Sequence, residues 1–136
     1  MEGNPLPTLQ QIETLTSYLP RLYAVGFSPI ERWEGGEKLQ DGSFTLSYPK
    51  YDPLVEEFFN RVSSDGWLDY EYNLELAYAM IKDENAVKTA SLEQIKTMLT
   101  FCVRGERFSD GHWGAMIEQG HIRRLLVRLN EIKTGR

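Results

Sequence analysis

The sequence has one cysteine, two histidines and no long apolar run, and each scarcity excludes a class of protein. A single thiol, Cys102, allows no internal disulfide and cannot build a cysteine-rich zinc site. No run of about 18 apolar residues is present, so no segment is suited to cross a membrane as a helix. The first residues show neither the basic nor the apolar region of a signal peptide. We therefore expect a protein of the reducing cytoplasm that has no contact with a membrane.

Positive charge is scarce and unevenly distributed. The chain has 15 Lys and Arg against 20 Asp and Glu, which gives a net charge of −5. Residues 1–103 carry 8 basic and 16 acidic side chains, whereas residues 104–136 carry 7 basic and 4 acidic ones. The acidic body argues against binding nucleic acid over the whole surface, because that binding is driven by phosphate contacts. The basic end permits a local anion site, although such charge also pairs with acidic surface of the same chain.

The hydrophobic spacing predicts a mainly α (α+β) fold, a compact bundle of five or six helices with a small antiparallel β-ribbon. At 136 residues, with 41% of them hydrophobic, the chain fits one globular domain over residues 1–136. Helix starts are predicted at four capping signals, which are Thr8 with Gln11, Asp52 with Pro53, Asn73, and Ser91 with Gln94. The helix that carries Cys102 is expected at the centre, packed by helices over residues 54–62 and 122–132.

The predicted ribbon lies between the first two long helices. Ile30–Glu34 is expected as one strand, and Phe44–Tyr48 alternates apolar and polar residues as a half-buried strand does. Gly42 and Pro49 mark the ends of the second strand. Trp67 is expected in the core, and Cys102 as a buried, unreactive thiol. The tyrosines at positions 48, 51, 70 and 72 fit either a ligand groove or the core.

The segment 104–114 concentrates charged groups, aromatic rings and three glycines, and it carries most of the chemistry that the sequence offers. Glycine is unfavourable inside a helix, which predicts a tight turn between two late helices. Ser109 or Asp110 is expected to cap the second of these helices. The first N–H groups of that helix would then form a small anion site beside Arg104 and Arg107.

This same region resembles a known family. The run Thr97–Phe108, followed by Asp110–Gly114 and Gly120–Ile122, is similar to an uncharacterised bacterial family with an Arg-Gly-Glu-Arg-Phe-x-Asp-Gly signature, found in small cytoplasmic proteins. The likeness is strongest over residues 91–130. It implies a bacterial, soluble, single-domain protein and supplies no activity. Cysteine is frequent in that family where this chain has Ser109, so the resemblance argues against a cysteine nucleophile here.

Two residues of the turn are candidate catalytic groups. Glu106 and His112 would transfer protons, since a carboxylate and an imidazole are the usual general acids and bases. Four further residues are candidates for binding an anionic substrate, namely Arg104, Arg107, Asp110 and Arg124. Each assignment has a structural alternative, because an acidic–basic pair also ties a helix end to a neighbouring turn and a histidine also packs. No metal-binding spacing is present, and neither a metal nor a cofactor is expected.

Three functions remain open at this stage. The absence of a catalytic triad, a phosphate loop or a metal motif favours a non-enzymatic protein-interaction or regulatory module, which binds an unknown protein partner or a second copy. The alternative is a small hydrolase or transferase that acts on an anionic substrate at the 104–114 turn. Nucleic-acid binding is the least favoured, and it would use Arg124 and Arg128 on the last helix.

Overall fold

The computed structural model describes residues 6–135, and it confirms a mainly α protein with one two-stranded antiparallel ribbon. The helices are α1 (Leu9–Thr16), α2 (Leu19–Leu22), α3 (Pro53–Ser64), α4 (Leu74–Lys82), α5 (Glu84–Lys88), α6 (Leu92–Arg104), α7 (His112–Glu118) and α8 (His121–Thr134). A 3₁₀ turn, Gly105–Arg107, continues α6, and the strands are β1 (Ile30–Glu34) and β2 (Tyr48–Tyr51). Six of these helices match the predicted periodic segments, and the structure adds the short α2 and α5.

The four predicted capping signals are all used. Thr8 and Ser91 each form a complete capping box with the glutamine three residues later. Asp52 accepts a hydrogen bond from the backbone of Leu54 at 2.9 Å, and Asn73 does the same for Leu76 at 2.9 Å. These helices therefore start where their own sequence supplies an acceptor.

The second strand of the ribbon lies later than its alternating pattern predicts. We expected Phe44–Tyr48, but the strand that pairs with β1 is Tyr48–Tyr51. Phe44 forms only an isolated bridge with Lys38, and its side chain is 63% exposed. The alternation therefore has no buried face to fix its pairing. Pro49 is tolerated inside β2 because each strand of a two-stranded sheet has a free edge that needs no N–H donor.

The core surrounds α6, as the sequence predicts. The inward face of α6 is fully buried and packs against α3, α4, α7 and α8. Cys102 lies on this face, where burial raises the pKa of the thiol and keeps it protonated. Trp67 is also fully buried, so both expectations about burial are confirmed. Of the four tyrosines left open, Tyr51 is buried, Tyr48 and Tyr70 are exposed, and Tyr72 is intermediate.

Candidate functional site

The last two helices both begin at a glycine that has no side chain with which to cap them. Gly111 precedes α7 with φ 89° and Gly120 precedes α8 with φ 85°, a left-handed conformation that favours glycine. The expectation that Ser109 or Asp110 caps α7 is wrong, because the cap position falls on Gly111 instead. The first N–H groups of both helices therefore depend on acceptors from elsewhere in the chain.

Glu106 supplies the acceptors for α7. Its Oε2 accepts from the backbone N–H of Gly111 at 3.2 Å, and its Oε1 accepts from that of Trp113 at 2.9 Å. Oε1 also accepts from the Tyr51 hydroxyl at 2.8 Å, and the Tyr51 oxygen accepts from the Gly114 N–H at 3.4 Å. A carboxylate at a helix N-terminus is favourable because the helix dipole is positive there. The anion site that the sequence predicts at the start of α7 is therefore occupied by the protein's own Glu106 carboxylate.

Tyr51 is held firmly enough to serve in this network. It is 5% exposed, and its ring lies 5.4 Å from that of Trp113. Trp113 in turn stacks on Phe59 at 4.7 Å with the planes 9° apart, and its indole N–H donates to the Val103 carbonyl at 3.0 Å. Burial, and then the hydrogen bond to Glu106, raise the pKa of the Tyr51 phenol. The phenol therefore stays protonated and donates a hydrogen bond to the carboxylate.

His112 is a packed residue at the joint between α6 and α7. A Cβ on residue 105 would overlap its imidazole ring, so Gly105 is required for space, not for its backbone angles. The Phe101 ring meets the imidazole edge-on at 5.3 Å. Burial lowers the pKa of His112, and a hydrogen bond to the Phe101 backbone and the charge of Glu106 oppose this only in part. His112 is therefore neutral at pH 7, and it does not line the cleft described next.

Arg104, Glu106 and Arg107 do meet at one open cleft of about 470 Å³. The rest of its wall consists of Ser63, Leu68, Tyr70, Val103 and Trp113. The Arg104 guanidinium lies over the rings of Tyr70 and Tyr72, 5.7 and 5.6 Å from their centres. Within residues 6–135, neither arginine forms an ion pair with a carboxylate. Half of the predicted site residues are thus brought together.

The other half are not. Asp110 is exposed and lies outside the lining of this cleft, and His112 is packed as described. Arg124 lies on α8, where its Nη2 donates to His121 Nδ1 at 3.0 Å and to the Gln119 carbonyl at 3.4 Å. It lines a separate groove between α5 and α8. The six predicted residues therefore do not form a single site.

A second distant cap, Tyr23, was not expected from the sequence. Its hydroxyl accepts from the backbone N–H of Arg123 in the first turn of α8 at 3.0 Å and donates to the Ile117 carbonyl at 2.8 Å. Burial raises the pKa of this phenol, so it too stays protonated. Tyr23 and Tyr51 have no local signal that marks them, because their partners lie 55 to 100 residues away. Only the two uncapped glycine starts point to a missing acceptor.

No group of three or more His, Cys, Asp or Glu side chains between residues 6 and 135 is placed to hold a metal ion. Over the same range, every helix is too short or too polar to span a bilayer.

The fold and the capped turn describe a mainly α structure in which a long-range hydrogen-bond network joins the ribbon to the start of α7. The chain belongs to the family of unknown function DUF6508, whose family model matches residues 7–135. No curated protein and no solved structure matches the chain.

Proposed function

We propose that the protein is a non-catalytic protein-interaction or regulatory module of the bacterial cytoplasm. The observation that carries this proposal is the engagement of both Glu106 oxygens by three donors. A general base needs a lone pair that can reach a substrate proton, whereas about three of the four lone-pair positions of this carboxylate accept from Tyr51 and from the start of α7. His112, the other candidate for proton transfer, is packed against Gly105 and Phe101. This leaves the turn well suited to support a surface and poorly suited to move protons.

The surface available for a partner is the ribbon with the loop beside it. Five large apolar side chains of the ribbon, of the segment that connects its strands and of the 104–114 turn are exposed, and we refer to this set as the ribbon face: Trp33, Phe44, Leu46, Tyr48 and Phe108. Leu46 is 87% exposed and Phe108 85%, values that are unfavourable for large apolar groups unless something covers them. The Trp33 ring lies against Gly111, so the ribbon is anchored beside the start of α7. A protein partner, either another chain or a second copy, would bury this face.

Site-directed photo-crosslinking tests this proposal. A photoreactive phenylalanine analogue at position 46 should give a discrete cross-linked product in cells that express the protein. The matched control is position 25, where Val25 is fully exposed but lies outside the ribbon face. A product of twice the monomer mass would assign a second copy, and light scattering of the pure protein would check this. Equal cross-linking from both positions, together with a monomer in solution, would contradict the proposal.

The second candidate function is a small enzyme that acts on an anionic substrate, and the cleft with Arg104 and Arg107 supports it. Two guanidinium groups without carboxylate partners can stabilise negative charge on a substrate. Hydrolysis of 4-nitrophenyl phosphate, an anionic ester, provides the test. A rate that falls in the double variant R104Q/R107Q would favour the enzyme, whereas equal rates favour the interaction module.

A further inference from the structure

A basic groove with a volume of about 300 Å³ lies between α5 and α8. Its lining consists of Val87, Lys88, Arg123, Arg124, Val127, Arg128 and Glu131. We propose that this α5–α8 groove binds a small phosphate monoester. The proposal is independent of the ribbon face and of the cleft at Arg104 and Arg107, since the groove shares no lining residue with either.

The charge of the groove is unusual for this protein. Four cationic side chains line it against the single carboxylate of Glu131, which leaves a net charge of +3 in a chain whose total is −5. An excess of this size is more than one carboxylate ligand would neutralise, and a doubly charged phosphate group matches it better. The acidic remainder of the chain repels a long polyanion, which favours a small ligand over nucleic acid.

The two central arginines are already held in position by the protein. Arg128 Nε donates to the Ala90 carbonyl at 2.9 Å, and its Nη1 donates to Glu131 at 3.3 Å. Arg124 is fixed through its Nη2, which donates to His121 Nδ1. Each guanidinium has five N–H donors, so donors remain for a ligand after these bonds are made. Side chains that are ordered before binding lose less entropy when the ligand arrives.

The state of His121 supports this arrangement. Burial lowers the pKa of the imidazole, and the neighbouring charge of Arg124 lowers it further. A neutral imidazole can accept the Arg124 hydrogen bond at Nδ1, whereas a protonated one cannot.

The apolar part of the groove selects the rest of the ligand. Val87, which is buried, and Val127, which is 37% exposed, both line the groove. A volume of about 300 Å³ is at the lower end of ligand pockets, which suits a phosphate group that carries one small apolar body. Guanidinium groups form paired hydrogen bonds with phosphate oxygens, and this geometry favours phosphate over a simple point-charge attraction.

Isothermal titration calorimetry of the full chain with phenyl phosphate tests the proposal at low salt. We expect saturable binding that weakens about tenfold in the double variant K88Q/R123Q, because two of the four charges are lost. Neither of these two side chains forms a hydrogen bond or ion pair in the described structure, so this variant should fold normally. R124Q and R128Q should weaken binding further, and their folding is checked by circular dichroism. The matched control is R104Q, which removes an arginine from the other cleft and should leave affinity unchanged.

Three further probes give the outcomes that would overturn the proposal. Benzoate has the same ring with a single charge and should bind more weakly, so equal affinity would contradict selection of a phosphate group. Inorganic phosphate lacks the apolar body, and equal affinity would contradict the monoester assignment. A single-stranded RNA that binds more tightly than phenyl phosphate, and loses this in K88Q/R123Q, would assign the groove to nucleic acid instead. Unchanged phenyl phosphate binding in K88Q/R123Q would remove the groove as the site.

Discussion

The hydroxyl of Tyr51 donates a hydrogen bond to Oε1 of Glu106 at 2.8 Å, although 55 residues separate them in the chain. Through this bond the last residue of the ribbon joins the carboxylate that caps α7. The same carboxylate occupies the helix N-terminus where an external anion would otherwise bind. In the 104–114 segment, the Glu106 carboxylate therefore connects the ribbon to α7.

Glu106→Gln should destabilise the protein. The amide keeps one acceptor oxygen but places an NH₂ group where a donor now points, which costs roughly 1–3 kcal/mol of unfolding free energy. Urea unfolding monitored by circular dichroism measures this. Glu118→Gln is the matched control, since it makes the same change on an exposed residue of α7 and should stay within about 0.5 kcal/mol of the parent. Equal stabilities of the two variants would show that Glu106 does not cap α7.

Gly105→Ala should destabilise the protein because of a clash with His112. The added Cβ would overlap the imidazole, and overpacking of this kind costs roughly 1–3 kcal/mol. The same substitution in a His112→Ala background should be much less harmful, because the obstructing ring is gone. Thermal or urea unfolding of the four proteins measures both effects. An undiminished cost in the His112→Ala background would mean that the imidazole ring is not what makes glycine necessary at this position.

Tyr23→Phe should weaken the start of α8. The change leaves the N–H of Arg123 without its acceptor, at a cost of about 1–2 kcal/mol, whereas the Ile117 carbonyl still accepts from the Gly120 N–H at 3.0 Å. Hydrogen exchange should show faster exchange of the first-turn amides of α8. Tyr78→Phe removes a hydroxyl from an exposed tyrosine for which the structure shows no hydroxyl hydrogen bond, and it serves as the control. Unchanged exchange at Arg123 would be evidence against the distant cap.

Stability should fall as the pH is lowered through the range of histidine titration. Burial is the chief cause that lowers the pKa of both His112 and His121 in the folded protein. The unfolded chain, with ordinary histidine pKa values near 6.5, then binds more protons than the folded one. The free energy of unfolding is therefore full above about pH 6.5 and decreases as the pH falls through the lower, folded-state pKa values.

Denaturant unfolding at pH 7.5 and 5.5, at constant ionic strength, checks this dependence. His112→Asn should lose part of the decrease between the two pH values, because one of the two titrating groups is absent. A parent protein that is equally stable at both pH values would contradict the sign derived from burial.

The parts of the fold that the sequence predicts are those that local chemistry determines. Thr8, Asp52, Asn73 and Ser91 each cap a helix that begins at the next residue, so a few neighbouring residues carry the whole signal. Periodic burial places Cys102 in the core for the same reason. The position of strand β2 is not predicted correctly, because the alternating pattern at residues 44–48 is exposed to solvent on both sides.

The candidate site is less predictable because its geometry is long-range. The sequence marks Glu106 as important and offers helix-end pairing as one of its roles, but nothing near it points to Tyr51. Arg124 follows the 104–114 turn closely in the sequence, yet α7 lies between them in the chain. Arg124 therefore lines a different groove from Arg104. Tertiary contacts therefore decide which of the charged residues meet.

A double-mutant cycle between Tyr51→Phe and Glu106→Gln, measured by urea unfolding, tests the long-range cap most directly. If the phenol and the carboxylate act together, the double variant should lose less unfolding free energy than the sum of the two single variants. The expected coupling energy is about 1 kcal/mol or more. Strictly additive effects, with a coupling within about 0.3 kcal/mol of zero, would contradict the cap and return Glu106 to the list of candidate catalytic groups.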